Sequence, residues 1–255
     1  MPSRPRRRGS AIYSLGSRPP PSEVPIRIAI DGPSASGKSA TGSRVAARFG
    51  YPFVDTGAMY RAVTWLALRR GIDPADAEAL TALAESTVLR IGPPPADGRE
   101  ACSISVNGED VTLFLRDAAV ERAVSPVSAV PGVRRALVRL QREASPADVV
   151  MAGRDIGTVV LPDAELKVYL VASMEVRARR RQEELTQKGR VETAAQVRAG
   201  LEERDRIDSG RAVSPLRPAE DAVIIDSDPL TLDEVVEAIV ALARERGAIE
   251  VEPAR

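Results

Sequence analysis

The chain has 255 residues, 44% of them apolar and only 3% aromatic, so its core must be built from Val, Leu, Ile and Ala, which suits helices over a parallel sheet and argues against an aromatic-rich β-sandwich. It has no histidine and one cysteine, Cys102, which excludes imidazole bases, catalytic triads, His-ligated zinc and an intrachain disulfide, and fits a reducing compartment, expected to be the cytoplasm. Basic and acidic residues balance at 36 each, against a general nucleic-acid binder, and no apolar run approaches the roughly 18 residues of a membrane span.

Residues 1–25 hold six of the 20 prolines, five arginines and one acid. Such a mixture cannot bury enough apolar surface to offset ordering, so it reads as a disordered Pro/Arg-rich extension ahead of a mildly acidic body. The pattern changes at Ile26. Ile26–Ile30 is an apolar run of strand length, residues 31–39 are rich in Gly and Ser, and Val45, Ala46 and Phe49 then share one helical face that closes at Gly50. A strand, a glycine loop and a helix open a parallel α/β domain.

Within that loop Gly32-Pro33-Ser34-Ala35-Ser36-Gly37-Lys38-Ser39 matches the phosphate-binding pattern G-x-x-x-x-G-K-[ST]. Its glycines let successive backbone N–H groups converge on phosphate oxygens, and the helix N-terminus adds positive potential. Lys38 is expected on the β- and γ-phosphates, and the Ser39 hydroxyl on Mg²⁺. The loop alone does not separate GTPases, ATPases and small-molecule kinases. Asn107, however, is the only asparagine and lies elsewhere, so an N-K-x-D guanine-reading motif is impossible.

Further strands are predicted at Pro52–Asp55, Asp148–Ala152, Glu165–Val171 and Ala222–Asp226. Helices are predicted near Ala58–Arg70, Val133–Ala144, Glu175–Lys188, Ala194–Asp208 and Leu232–Arg246. This alternation implies crossover connections and a doubly wound sheet. One stretch breaks it: Thr87–Ile91 and Ala101–Val106 read as strands, and Asn107-Gly108 is the pair that type I′ hairpin turns favour. A small antiparallel insertion is therefore expected at about residues 87–116.

Polar residues gather where strands end. Asp55-Thr56-Gly57, with Tyr60 and Arg61 one turn later, and Gly153-Arg154-Asp155 both follow strands, at the carboxyl edge where open α/β sheets bind ligands. Both are read as ligand contacts. Arg204, Asp208 and Arg211 are spaced four and three apart on one helical stripe, which fits a solvated salt bridge or a ligand-facing surface equally well. The cluster Arg177, Arg179, Arg180 and Arg181 is flanked by Glu175, Glu183 and Glu184. Its position alone favours a solvated face of i,i+4 pairs over a mobile lid.

The runs Ile28-Ala29-Ile30-Asp31-Gly32-Pro33, Asp55-Thr56-Gly57-Ala58-Met59-Tyr60-Arg61, Gly153-Arg154-Asp155-Ile156-Gly157-Thr158-Val159-Val160 and Arg211-Ala212-Val213-Ser214-Pro215-Leu216 closely resemble the bacterial cytidylate kinase family, in its order and spacing, over about residues 26–247. The resemblance implies a P-loop nucleoside-monophosphate kinase fold: a five-stranded parallel sheet flanked by helices, a small antiparallel monophosphate-binding insertion at about 87–128, a short helical lid at about 174–192, and a tail at 248–255. It implies transfer of a phosphoryl group from ATP to CMP or dCMP, with Mg²⁺, by a monomer.

By motif match the ATP phosphates fall to Gly32, Pro33, Ser34, Ala35, Ser36, Gly37, Lys38, Ser39 and Ala40. Thr56, Ser125, Arg134 and Asp155 fall to cytosine, with Tyr60 beside them; Arg61, Arg154 and Arg211 to the acceptor phosphate; Arg204 and Asp208 to the ribose. Arg180 and Arg181 become lid arginines, reversing the reading from position alone. One departure stands before Gly153, where Ala152 replaces the Asp or Glu that relatives usually carry, removing a charge that would orient Arg154. The chemistry is open to a chain without histidine, because guanidiniums, Lys38 and Mg²⁺ supply the electrostatic stabilisation that phosphoryl transfer needs. Two rival expectations are a P-loop kinase for another small acceptor, and a regulatory protein that binds nucleotide without turnover.

Overall fold

The computed structural model describes residues 26–95 and 100–251, so the extension expected at 1–25 and residues 252–255 of the expected tail lie outside the described residues. In chain order the elements are β1 (Arg27–Asp31), α1 (Lys38–Phe49), β2 (Phe53–Asp55), α2 (Thr56–Arg69), α3 (Ala77–Ser86), β3 (Leu89–Gly92), β4 (Ser103–Val106), β5 (Glu109–Asp110), α4 (Ala118–Ala129), α5 (Pro131–Glu143), β6 (Val149–Gly153), β7 (Leu166–Val171), α6 (Met174–Gln187), α7 (Ala194–Gly210), β8 (Val223–Asp226) and α8 (Leu232–Arg244). A 3₁₀ turn spans Thr112–Phe114 and a π-helical turn Ile156–Val160.

Five strands form the expected parallel sheet, in the order β2-β6-β1-β7-β8. Side-chain alternation along the inner strands divides the core in two. Ala29, Val149 and Met151 pack on the side of α2 and α5, whereas Ile28, Ile30, Val150 and Val168 face the side of α1 and α8. Being buried on both faces is what makes β1 and β6 continuous apolar runs in the sequence. Because the first strand lies between the sixth and seventh, the loops leaving the carboxyl ends of β1, β2 and β6 rise side by side.

Side chains fix where the helices start. Asp55 caps α2 by accepting from the Ala58 amide, and Ser173 caps α6 through the Val176 amide. Thr193 with Gln196 and Thr231 with Glu234 form reciprocal capping boxes on α7 and α8.

The insertion is a three-stranded antiparallel sheet in the order β3-β4-β5. Asn107 at φ 52° and Gly108 at φ 91° form the left-handed pair expected of a type I′ turn between β4 and β5. The Asn107 side chain also accepts from the Val88 amide at 3.0 Å, tying the turn to β3. Trp65 of α2 stacks on Phe114 of the 3₁₀ turn, ring centroids 5.9 Å apart, and joins the insertion to the main domain.

Five elements escape the sequence reading: α3, β5, the 3₁₀ turn, α4 and the π-helical turn. The α3 helix buries only Leu80, Leu83 and Ala84, a short period among alanines. In α4, Pro126, Ser125 and Ser128 read as breakers, yet the helix continues through them. The π-helical turn has a tertiary cause: the Asp31 carboxylate accepts from the Ile156 amide at 2.9 Å and the Gly157 amide at 2.8 Å.

Candidate active site

A cavity of about 600 Å³ opens above the carboxyl ends of β1, β2 and β6, walled by α4, α5, α6 and α7. Its floor is the Gly32–Ser39 loop. A Cβ on Gly32 would lie 2.3 Å from the Leu170 carbonyl oxygen, so only glycine lets the chain turn off β1 there. Gly37 sits at φ 95° as it hands the chain to α1, a conformation that again favours glycine.

The Lys38 ammonium folds back onto this loop, donating to the Pro33 carbonyl and, at 3.2 Å, to Ser36 Oγ. Burial, with Arg154 beside it, pushes its pKa well down, while Asp55, Asp31 and Asp208 pull the other way. A buried ammonium held on neutral oxygens gains most from an incoming anion. Ser39 Oγ donates to Asp55 Oδ2 at 2.8 Å. Hydroxyl and carboxylate oxygen at the mouth of a phosphate cradle are the hard donors that Mg²⁺ accepts, so these residues fit that ion. No cluster of three or more metal-ligating side chains occurs among the described residues, so phosphate and water oxygens would complete its shell.

The second wall begins at the end of β2. Asp55 stays ionised: burial would raise its pKa, but Arg61, Arg116 and the Ser39 hydroxyl bring it below the ordinary carboxylate value. Arg61 lies 3.9 Å from that carboxylate and is pulled down to about 10 by burial and by neighbouring Arg116. Its Nε has no hydrogen-bond partner within the protein. Thr56 Oγ1 donates to the Ala152 carbonyl at 2.9 Å, joining β2 to β6.

At the end of β6, Asp155 accepts from Arg134 of α5 at 2.5 Å; the two residues are 3% and 1% exposed. Arg134 also donates to the Ser128 carbonyl at 3.3 Å and lies 5.3 Å over the Tyr60 ring. A buried carboxylate and guanidinium offered side by side can pair with an amine next to a ring nitrogen and carbonyl, the edge that cytosine presents.

Beside them Asp208 is shared. Arg154 donates to its Oδ2 at 2.8 Å and Arg211 to its Oδ1 at 3.2 Å, and together they outweigh burial and keep its pKa low. This contact supplies the orienting charge that Ala152 does not. Arg204 donates to the Glu121 carbonyl at 2.7 Å, which carries its guanidinium across from α7 to α4. Arg204, Asp208 and Arg211 therefore face the cavity, and the solvated alternative for that stripe falls away.

Thr56, Tyr60, Arg61, Ser125, Arg134, Arg154, Asp155, Arg181, Arg204, Asp208 and Arg211 all line this one cavity, with Ser34, Ala35, Gly37, Lys38, Ser39 and Ala40. Gly32, Pro33 and Ser36 belong to the same loop but do not line the cavity; the Pro33 carbonyl and Ser36 Oγ hold the Lys38 ammonium. Arg180 does not line it: its guanidinium donates to Ser227 Oγ at 3.0 Å and to the Ser227 carbonyl at 2.7 Å. On α6 the partners differ from the i,i+4 pairs expected, and local and longer contacts are mixed. Arg177 reaches Asp205 of α7 at 2.7 Å and the Ser34 carbonyl of the floor at 3.2 Å, while Glu184 pairs with Arg181 and Lys188.

Arg116 is a lining residue that the sequence reading misses. It extends from the insertion toward Glu100 at 3.5 Å and Glu184 at 3.8 Å, and no local motif marks it.

The sequence model of the family described as cytidylate kinase matches residues 28–245. The chain is 48% identical over 219 residues to a cytidylate kinase of Nocardia farcinica, covering 85% of this chain and 93% of that protein. It is 47% identical over 222 residues to one of Geobacillus kaustophilus, covering 87% and 97%. It is also 52% identical over 220 residues to a bifunctional pantoate ligase/cytidylate kinase of Synechococcus sp. (strain JA-3-3Ab), where it covers 86% of this chain and spans only 40% of the relative's length. With the phosphate cradle and the Arg134–Asp155 pair in one cavity, and the match running from β1 into α8, the chain belongs to the cytidylate kinase family.

Proposed function

We propose that this chain transfers the γ-phosphoryl group of ATP to CMP or dCMP, giving ADP and CDP or dCDP. The observation that carries the reading is the buried Arg134–Asp155 pair in the same cavity as Lys38 and the phosphate loop. In this reading residues 26–247 are the catalytic unit, with the insertion at about 87–128 and the lid at about 174–192. The proposed working unit is a monomer. No helix among the described residues is long and apolar enough to cross a membrane, and the cytoplasm is the proposed setting.

The triphosphate would lie along the amides of residues 32–40, with Lys38 leaving the Pro33 carbonyl and Ser36 for phosphate oxygens. Ser39 would hold Mg²⁺, with Asp55 alongside; when bound, the ion offsets charge on the phosphates. Asp155, Arg134, Thr56 and Ser125 would read the base. A pocket built to pair an amine penalises uracil, whose carbonyl at that place leaves the site's acceptor unpaired. Arg61, Arg154 and Arg211 would hold the acceptor phosphate, and Arg204 and Asp208 the ribose side. Arg61 Nε and Arg211 Nη2 are buried donors with no partner in the protein, as an anion site requires. Charge spreads over the migrating phosphoryl group, and fixed guanidiniums stabilise it without a general base.

ADP release measured with CMP, dCMP, UMP, AMP and dTMP as acceptors tests the assignment. A cytidine preference of about 10²-fold or more in kcat/KM is expected. Equal use of UMP or AMP would overturn it.

A further inference from the structure

Glu121 of α4 is a buried carboxylate to which none of the roles above is given. It is 6% exposed and does not line the cavity, yet two guanidiniums from the opposite side converge on its Oε2: Arg181 of α6, and Arg190 of the loop after α6 at 2.7 Å. Arg204 of α7 holds its backbone carbonyl, and Arg116 faces it from the insertion. Burial would raise its pKa, but Arg181, Arg190, Arg204 and Arg116 bring it below the ordinary value, so it is charged at neutral pH.

The two arginines are not equivalent. Arg181 lines the cavity, and Arg190 does not. Arg181 also donates to Glu184 at 2.7 Å, whereas Arg190 is braced outside by Glu192 at 2.7 Å and by the Arg116 carbonyl at 3.4 Å.

We infer that Glu121 is a positioning residue: it parks Arg181 against the insertion until phosphate enters the cavity, and Arg190 keeps the carboxylate paired once Arg181 turns to the phosphate. The inference rests on the proposed kinase reading, in which Arg181 meets a phosphoryl group. Withdrawing a guanidinium from a buried carboxylate ordinarily strands a charge, which is costly. A carboxylate with two guanidiniums can release one and remain satisfied, so the exchange has a low cost, and Arg190 is what makes it low. Parking stabilises the nucleotide-free state, and a ligand must outcompete it.

The test is calorimetric titration of the full chain with CMP in the presence of a non-hydrolysable ATP analogue, alongside melting temperatures. Glu121→Gln is expected to tighten CMP binding about 3- to 10-fold, because no full carboxylate competes for Arg181. Arg190→Gln is expected to weaken it by a similar factor, because Glu121 then depends on Arg181 alone. Combining Glu121→Gln with Arg181→Gln should leave the affinity of Arg181→Gln unchanged.

A purely structural Glu121 predicts weaker binding in both single variants, and that result, or no change in either, overturns the inference. Should Glu121→Gln fail to fold, the more exposed Arg190→Gln decides alone: unchanged affinity at a retained melting temperature refutes parking. An absence of heat in the wild-type chain refutes the cytidylate reading itself, and the inference with it. Normal wild-type binding with unresponsive variants refutes only the inference.

Discussion

The floor and the roof of the cavity are held by different physics. The floor is backbone and core: a loop that only glycine can turn, a central strand buried on both faces, and a carboxylate, Asp31, bound by two amides of the adjoining turn. The roof, where α4 and the insertion meet α6, is held by guanidinium–carboxylate contacts among Arg116, Arg181, Arg190, Glu100, Glu121 and Glu184. Close-packed floors have one arrangement, whereas a carboxylate shared by two guanidiniums can release one at low cost. Phosphoryl transfer needs both, a cradle that does not move and a cover that does.

The largest expected effect tests the floor. Lys38→Ala should lower turnover by about 10³-fold or more while leaving the melting temperature unchanged or higher, since it removes a buried ammonium held only by neutral oxygens. Near-normal activity would show that the cradle is not where phosphate is held. Next comes the wall between floor and roof. Asp155→Asn should lower kcat/KM for CMP by about 10²-fold and narrow the preference over UMP, because an amide no longer pairs with both Arg134 and an amine. An unaltered CMP to UMP ratio would remove the pair from base reading.

The last effect is on stability alone. Burial pushes the Asp31 carboxyl up to about 6 from an ordinary 3.8, against the pull of the Gly157 and Ile156 amides. A value raised on folding adds stability that is complete below about 3.8 and is lost as pH rises through about 6. At about 1.4 kcal/mol per pH unit this amounts to about 3 kcal/mol. Denaturant midpoints between pH 4 and pH 7 should show that slope in the wild type and a flatter one in Asp31→Asn. Identical slopes would mean that another group titrates there.

The floor was legible in the sequence and the roof was not, for a physical reason. Strands buried on both faces must be apolar runs, and a phosphate loop must carry glycines at fixed spacing, so β1, β2, β6 and the cradle announce themselves locally. Arg154, Asp155 and Asp208 could be found because they stand at a strand end or on a helical stripe. The roof pairs join residues far apart in the chain: Glu121 meets Arg181 across 60 positions and Arg190 across 69, separations that no local periodicity encodes. Position alone therefore misread Arg181 as solvated. The family resemblance reads both Arg180 and Arg181 as lid arginines; Arg181 lines the cavity, and Arg180 turns to Ser227. The π-helical turn was hidden in the same way, since its cause, Asp31, lies 125 residues earlier.

Trp65 is the only tryptophan in the chain, and it stands on α2 with its ring against Phe114 of the insertion and the Arg69 guanidinium 4.9 Å above it. Light absorbed selectively by indole is thus emitted from a single joint, between α2 of the main domain and the antiparallel insertion. The unlabelled chain carries its own optical gauge of that joint, readable in a stopped-flow cell as nucleotide enters.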